Sequence, residues 1–254
     1  MNKMYDKAQF FLAYFARATE KELVVRSLTD RFMGFKDSVS ILDLGCHDGS
    51  LLERILNTYQ SRLPARVDIV GVDPSETALG AFRQKMANNG HQVDTFIGCA
   101  EEYFKDSARH HDWILASQCL YWSADLSAVL KDIHERGDAS LVVLRGKKGI
   151  FEIQSRFRSL IGDQEERLYS SSDIEDALYS LNIPFAKEDH ATEIHVPKSF
   201  GQESKWINAF FLEVSDDALS DENHSEIAHF IAGLGSPMRH DITLFWLKGA
   251  NTPC

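Results

Sequence analysis

The chain has 254 residues, 44% of them hydrophobic and 26% charged, a composition that supports a packed globular core. Lys and Arg number 27 against 38 Asp and Glu, a formal charge of −11. That balance argues against nucleic acid as a partner, because binding a phosphate backbone needs clustered cations. No apolar run reaches 18 residues, so no membrane span is expected. The opening stretch is interrupted by Asp6, Lys7 and Arg17 and has no cleavage-site pattern, so secretion is not expected. Cys46, Cys99, Cys119 and Cys254 form no CxxC pair and fit a reducing cytoplasm.

Residues 5–33 read as one or two amphipathic helices, with Phe10, Phe11, Tyr14 and Phe15 at helical spacing. A regular alternation follows. Strands are expected at 39–44, 67–72, 92–97, 113–117 and 141–144. Helices are expected between them at 50–59, 76–88 and 126–135. Short apolar strands alternating with helices of this length build βαβ units and a parallel sheet buried on both faces. His110 and His111 read as a loop before the fourth strand, and Arg145, Lys147 and Lys148 as a solvated basic knot.

After Gly149 the pattern changes. Residues 151–161 and 170–181 look helical, the second with Ser172 and Glu175 as a capping box. A strand over 184–196, helices over 203–214 and 222–234, and a closing strand over 242–247 complete the chain. The charge also divides here: residues 1–150 hold 19 basic and 20 acidic residues, whereas 151–254 hold 8 and 18. This acidity reads as a solubilising surface, or as a field that attracts a cationic small molecule. The expected division is an N-terminal helical lid over 1–37, a ligand-binding core over 38–150, and acidic substrate-side insertions with closing strands over 151–254.

The most specific signal is Ile41-Leu42-Asp43-Leu44-Gly45-Cys46-His47-Asp48-Gly49-Ser50, between the first strand and its helix. Two glycines four apart let a backbone turn sharply and approach a ligand, at the strand ends where α/β sheets bind nucleotides. There is no lysine for a P-loop, and His47 and Ser50 stand where a dinucleotide GxGxxG needs glycine. The loop resembles the LDLGCGxG pattern of class I S-adenosylmethionine (SAM)-dependent methyltransferases, with His47 replacing the usual glycine. Asp73 ends the second strand 24 residues past Gly49, where a carboxylate accepts both ribose hydroxyls, with Pro74 beside it.

The resemblance implies a Rossmann-like fold, a mostly parallel sheet with helices on both faces, and SAM as cofactor. It implies Asp43, Gly45, Cys46, His47, Gly49, Asp73 and Pro74 around SAM, Cys99, Ala100 and Glu101 by its adenine, and Ser117 at the fourth strand's end. The Asn/Asp-Pro-Pro-Tyr/Phe motif of methyltransferases that act on base or glutamine amino groups is absent.

Across nearly its whole length the chain is similar to histamine N-methyltransferase-type enzymes. The similarity is carried by Ala18-Thr19-Glu20, Gln118-Cys119-Leu120-Tyr121-Trp122, Ser171-Ser172-Asp173-Ile174 and Thr243-Leu244-Phe245. By that resemblance Glu20 holds the substrate, Gln118 hydrogen-bonds it, and Tyr121 and Trp122 line the acceptor pocket. Ile242 stands where that family has an asparagine touching the imidazole ring, which leaves a different amine open as acceptor. The expected activity is therefore methyl transfer from SAM to a small molecule, an amine nitrogen first. An O-methyl acceptor, a tRNA or protein acceptor, and a non-catalytic SAM-binding protein are the alternatives. The oligomeric state stays open.

Overall fold

The computed structural model describes residues 8–29, 37–161, 168–197 and 201–250. Two short helices come first, α1 (Ala8–Phe15) and α2 (Glu20–Ser27). An alternating core follows: β1 (Ser38–Leu44), α3 (Ser50–Thr58), β2 (Arg66–Asp73), α4 (Glu76–Asn88), β3 (Gln92–Ile97), α5 (Ala100–Asp106), β4 (His111–Ser117), α6 (Leu126–Arg136) and β5 (Gly137–Arg145). The remainder is α7 (Ile150–Arg156), α8 (Ser171–Ser180), β6 (Phe185–Ile194), α9 (Gln202–Leu212), α10 (Asp221–Gly233) and β7 (Met238–Lys248).

The seven strands form one sheet in the order β3-β2-β1-β4-β5-β7-β6. β1 to β5 pair in parallel, and β7 runs antiparallel between β5 and β6. The order reverses at β1 and β4, so the loops after these two strands diverge and leave a crevice at their carboxyl ends. Apolar residues pack both faces of the sheet: Ile41, Ile69, Phe82 and Leu244 belong to one buried cluster, Leu42, Val70, Leu130 and Phe245 to the other. A third cluster, with Tyr14, Ile153, Phe211 and Met238, joins the first helix to the C-terminal third of the chain. Ile242 belongs to the first cluster and is 1% exposed, so its side chain is core.

The hydrophobic period placed the core strands and helices to within a few residues, while some local expectations fail. Helix α8 is capped by Ser170 with Asp173, not by Ser172 with Glu175, since the helix starts two residues earlier than that box requires. His111 is not a loop residue: it opens β4, is fully buried, and bonds the Tyr103 hydroxyl at 2.9 Å. Burial holds its imidazole down at about 4, so it is a neutral core histidine. Helix α5 had no expected counterpart; it is one of the shortest helices, and its few apolar residues show no resolvable period. Cys254 and part of the expected 5–33 helical stretch lie outside the described residues.

Phe82 of α4 is fully buried against the glycine loop from below. A Cβ on Gly49 or Gly71 would come within 2.7 Å or 2.5 Å of its ring. Phe82→Ala should therefore cost about 3–5 kcal/mol of stability, read as a lower denaturant midpoint in chemical unfolding. A change below about 1 kcal/mol would show that the loop does not rest on this ring.

Candidate active site

The carboxyl ends of β1, β2, β4 and β5 open into a cavity of about 350 Å³, roofed by residues of α1 and α9. Of the residues singled out in the sequence, Glu20, Asp43, Gly45, Cys46, His47, Asp73, Pro74, Cys99, Ala100, Glu101, Ser117, Gln118, Tyr121 and Trp122 all line it. Gly49 does not; it caps α3 at φ 76°, packed on Phe82 and Met86.

The glycine loop is fixed by one carboxylate. Asp73 Oδ2 accepts the His47 N–H at 2.9 Å and Oδ1 accepts the Ser75 N–H at 2.9 Å. Gly45 has φ +63°, and a Cβ there would lie 2.3 Å from that of Cys119, so β4's exit loop closes directly over the glycine. His47 also adopts a left-handed φ of +47°, and its ring packs 4.0 Å from that of Phe11 on α1. Its Nδ1 lies 3.6 Å from Asp48, whose carboxylate also takes the Ser50 hydroxyl at 2.7 Å and Lys85 at 3.1 Å. The histidine in place of the expected glycine thus ties the loop to the roof.

Asp43 is buried at the end of β1. Burial pushes its carboxyl up, Lys21 offsets part of this and Asp73 adds to it, leaving it at about 8. At the end of β3, Glu101 accepts the Ser123 hydroxyl at 2.6 Å and the Ala124 N–H at 2.8 Å. Burial alone would raise its carboxyl, but these donors hold it below the usual range. Burial pushes the Cys46 and Cys119 thiols well up and that of Cys99 to about 11, so none is a thiolate at neutral pH. The Ser117 hydroxyl is buried without a hydrogen-bond partner.

The opposite end of the cavity is built around Gln118, held at φ +56°. Its Nε2 donates to Glu20 at 3.0 Å and its Oε1 accepts the Arg145 N–H at 3.0 Å, which fixes the orientation of the amide. Glu20 is 1% exposed, with Lys21 Nζ at 3.1 Å and His240 Nε2 at 3.3 Å. Burial raises its carboxyl, yet Lys21, His240 and the Tyr14 hydroxyl outweigh that and hold it well below the ordinary range. Tyr14 is itself pushed up by burial and by Glu20, so it stays a donor.

Beyond Gln118 the guanidinium of Arg145 stacks 3.9 Å above the Tyr121 ring and meets Glu213 at 3.4 Å. Glu213 also accepts the Trp122 indole N–H and, at 3.1 Å, Gln154 Nε2.

Arg145 is thus no part of a solvated knot. It is 4% exposed, while Lys147 and Lys148 are exposed as expected. A basic residue ending an apolar strand in the third position after Val142 was the available signal. Glu213, Lys21, Tyr14 and His240 were also missed. Glu213 directly follows the apolar run Ala209–Leu212, the one local hint of its burial. Nothing in the local sequence marks the others, which reach the cavity through tertiary packing. Among the described residues no cluster of His, Cys, Asp or Glu has a metal-holding arrangement.

Residues 42–136 match a family model described as a methyltransferase domain. That match covers the alternating core from the end of β1 to the end of α6. The fold agrees with solved structures at low identity. The BH2331 protein of Bacillus halodurans is 13% identical, with a TM-score of 0.61, 88% of this chain and 97% of that one aligned. Mycolic acid cyclopropane synthase CmaA1, solved with SAH and CTAB, is 15% identical at TM-score 0.57, over 91% and 85%. Phosphoethanolamine N-methyltransferase 2 of Haemonchus contortus, solved with SAM, is 15% identical at TM-score 0.52, over 89% and 52%. No curated protein matches the sequence.

The glycine loop depends on the close approach of Gly45 to Cys119. Gly45→Ala combines a left-handed φ with an overlap that no side-chain rotation relieves, and should lose at least about 2 kcal/mol. Thermal and chemical unfolding of the variant would read this; wild-type stability would show that the loop moves freely away from β4.

Proposed function

We propose that the protein methylates a small-molecule amine, taking the methyl group from SAM and orienting the acceptor nitrogen with Gln118. The observation that carries this reading is the Gln118 amide, fixed between Glu20 and the Arg145 N–H beside Tyr121 and Trp122 in a cavity of about 350 Å³. The roof of α1 and α9 residues over this end suits a small acceptor better than a tRNA or a protein.

The residues present fit the cofactor. Gly45 admits no Cβ, Asp73 stands at the crevice with its carboxylate already braced, and the buried Ser117 hydroxyl has a bond to make. Asp43, Gly45, Cys46 and His47 would hold the cofactor's amino-acid portion and Asp73 with Pro74 its ribose. Cys99, Ala100 and Glu101 would flank the adenine. SAM supplies a methyl group on a sulfonium.

The acceptor nitrogen would have to present a free lone pair, so an acceptor arriving as an ammonium would first lose a proton to water, and the proton displaced on methylation would leave the same way. The chain positions the nitrogen in line and excludes water from the path. Glu20 is a positioning residue. Held anionic by Lys21, His240 and Tyr14, it fixes Gln118 and takes up no proton. One face of Tyr121 is occupied by Arg145, so Trp122 is the aromatic left to meet the developing charge, a cation–π contact of roughly 0.5–2 kcal/mol. The N-terminal segment over 1–37 acts as a lid, bearing on the loop through Phe11 and His47. Residues 38–150 are the cofactor core and 151–254 the substrate side. Among the described residues no helix is long and apolar enough to cross a membrane, and Cys46, Cys99 and Cys119 are free thiols, in keeping with a cytoplasmic enzyme.

Release of S-adenosylhomocysteine (SAH) from SAM, measured against pooled biogenic and aromatic amines and against phenols, tests the reading. Turnover confined to phenols would overturn the amine acceptor. Gln118→Ala should lower turnover at least tenfold while SAH affinity, read by calorimetry, stays within twofold; loss of SAH binding would misplace the acceptor end.

The Asp43 carboxyl adds a pH signature. An arriving cationic ammonium favours the ionised form, so below about pH 8 binding must first remove a proton. SAH affinity should therefore fall as pH drops from 8 to 6, by up to about tenfold per unit. Calorimetry in buffers of different ionisation enthalpy should show proton release, absent in Asp43→Asn. Buffer-independent heats in the native protein would remove Asp43 from the cofactor site.

A further inference from the structure

The acceptor end of the cavity contains two buried carboxylates, and each is already matched. Glu20 has Lys21 at 3.1 Å, and Glu213 has Arg145 at 3.4 Å, the Trp122 indole and Gln154. A cationic acceptor therefore meets no bare negative charge there. The unspent capacity belongs to Arg145. Its two terminal nitrogens reach the same Glu213 oxygen at 3.4 and 3.5 Å, an end-on approach with long contacts. Its Nε is buried with no hydrogen-bond partner. A guanidinium carries five donors and takes a planar anion side-on through Nε and one terminal nitrogen. That edge is the one left unused. Leaving a buried charged donor unsatisfied is costly, and a ligand oxygen removes the cost. The stacking of the guanidinium on Tyr121 at 3.9 Å fixes its plane, and the backbone N–H of the same residue holds Gln118. The anion site at the end of β5 and the amide just past the end of β4 are therefore joined through Arg145 itself.

We propose that the acceptor is an amino-acid-like amine whose carboxylate is bound side-on by Arg145 while Gln118 orients its nitrogen. The proposal rests on the amine-methyltransferase reading and narrows it. The two charges of such a ligand suit a site whose own charges are balanced. An aromatic side chain on the ligand would find Trp122 beside it.

The test uses the whole protein with SAH present and matched pairs: histidine against histamine, tyrosine against tyramine, tryptophan against tryptamine. Phosphoethanolamine against ethanolamine probes a phosphate in place of the carboxylate. Binding is read by calorimetry and thermal shift, and turnover by SAH release from SAM. Within at least one of the first three pairs the carboxylated member should bind ten times more tightly or better. Arg145→Lys keeps a positive charge against Glu213 but removes the side-on fork. It should raise KM for the carboxylated acceptor at least tenfold while kcat changes less than threefold. If Arg145→Lys fails to fold, Glu213→Gln in the same assay replaces it: it keeps an acceptor for the Trp122 indole and frees the guanidinium from its counter-charge, so the carboxylated acceptor should bind at least threefold more tightly while its decarboxylated partner is unchanged, and an equal effect on both would overturn the proposal. Equal binding of the decarboxylated amines would overturn the proposal and leave the amine reading standing. Preference for phosphoethanolamine alone would overturn the carboxylate. Absence of turnover with every amine, while other acceptors react, would overturn the amine reading and this proposal with it.

Discussion

Four carboxylates, Glu20, Asp43, Asp73 and Glu213, are each 5% exposed or less along one edge of the sheet. Burying an ionised carboxylate is unfavourable unless donors or cations replace its water, so each must be given partners by the surrounding chain. Asp73 is served by backbone N–H groups, Glu20 by a lysine, a histidine, a tyrosine and an amide, and Glu213 by an arginine, an indole and an amide. Asp43 is served least, and its carboxyl rises to about 8 instead. These demands fix the loop after β1, the exit of β4, the end of β5 and the C-terminus of α9 relative to one another.

The N-terminal and C-terminal parts of the chain enter the site through the same requirement. Glu20 comes from α2, yet its carboxylate accepts a hydrogen bond from Gln118 of the core and lies against His240 from β7. The connection between α1 and α2 is stitched to β6, where the Thr19 N–H reaches the Glu193 carbonyl at 3.0 Å and the His195 N–H reaches that of Arg17 at 3.0 Å. Tyr14 stacks 4.5 Å from Phe210 of α9. The roof is therefore anchored on the acceptor side and also rests on the cofactor side, where Phe11 packs on His47 and Arg54 of α3 meets both the Phe15 ring and Glu22.

Much of the core was legible because parallel strands buried on both faces leave apolar runs that stand out from amphipathic helices. The glycine loop and Asp73 were legible for a different reason: backbone geometry and a strand-end carboxylate are both local. Arg145 and Glu213 were harder, since a charged residue in sequence looks solvated until its partner is known, and these two are 68 positions apart. His240 is the extreme case. It lies in an ordinary closing strand, and only the sheet order, with β7 beside β5, brings it to Glu20.

His47 shows how a departure from a motif can be informative. At φ +47° a side chain carries a strain of order 1 kcal/mol that glycine would not. That strain is offset only if the ring makes contacts, and it does: Phe11 lies at 4.0 Å and Asp48 at 3.6 Å. The loop's backbone function is kept, because the amide that reaches Asp73 is present in any residue. What the imidazole adds is a link between the loop and the first helix, which glycine could not provide. The substitution therefore leaves the logic of the cofactor loop intact and makes the roof over it part of the same packed unit.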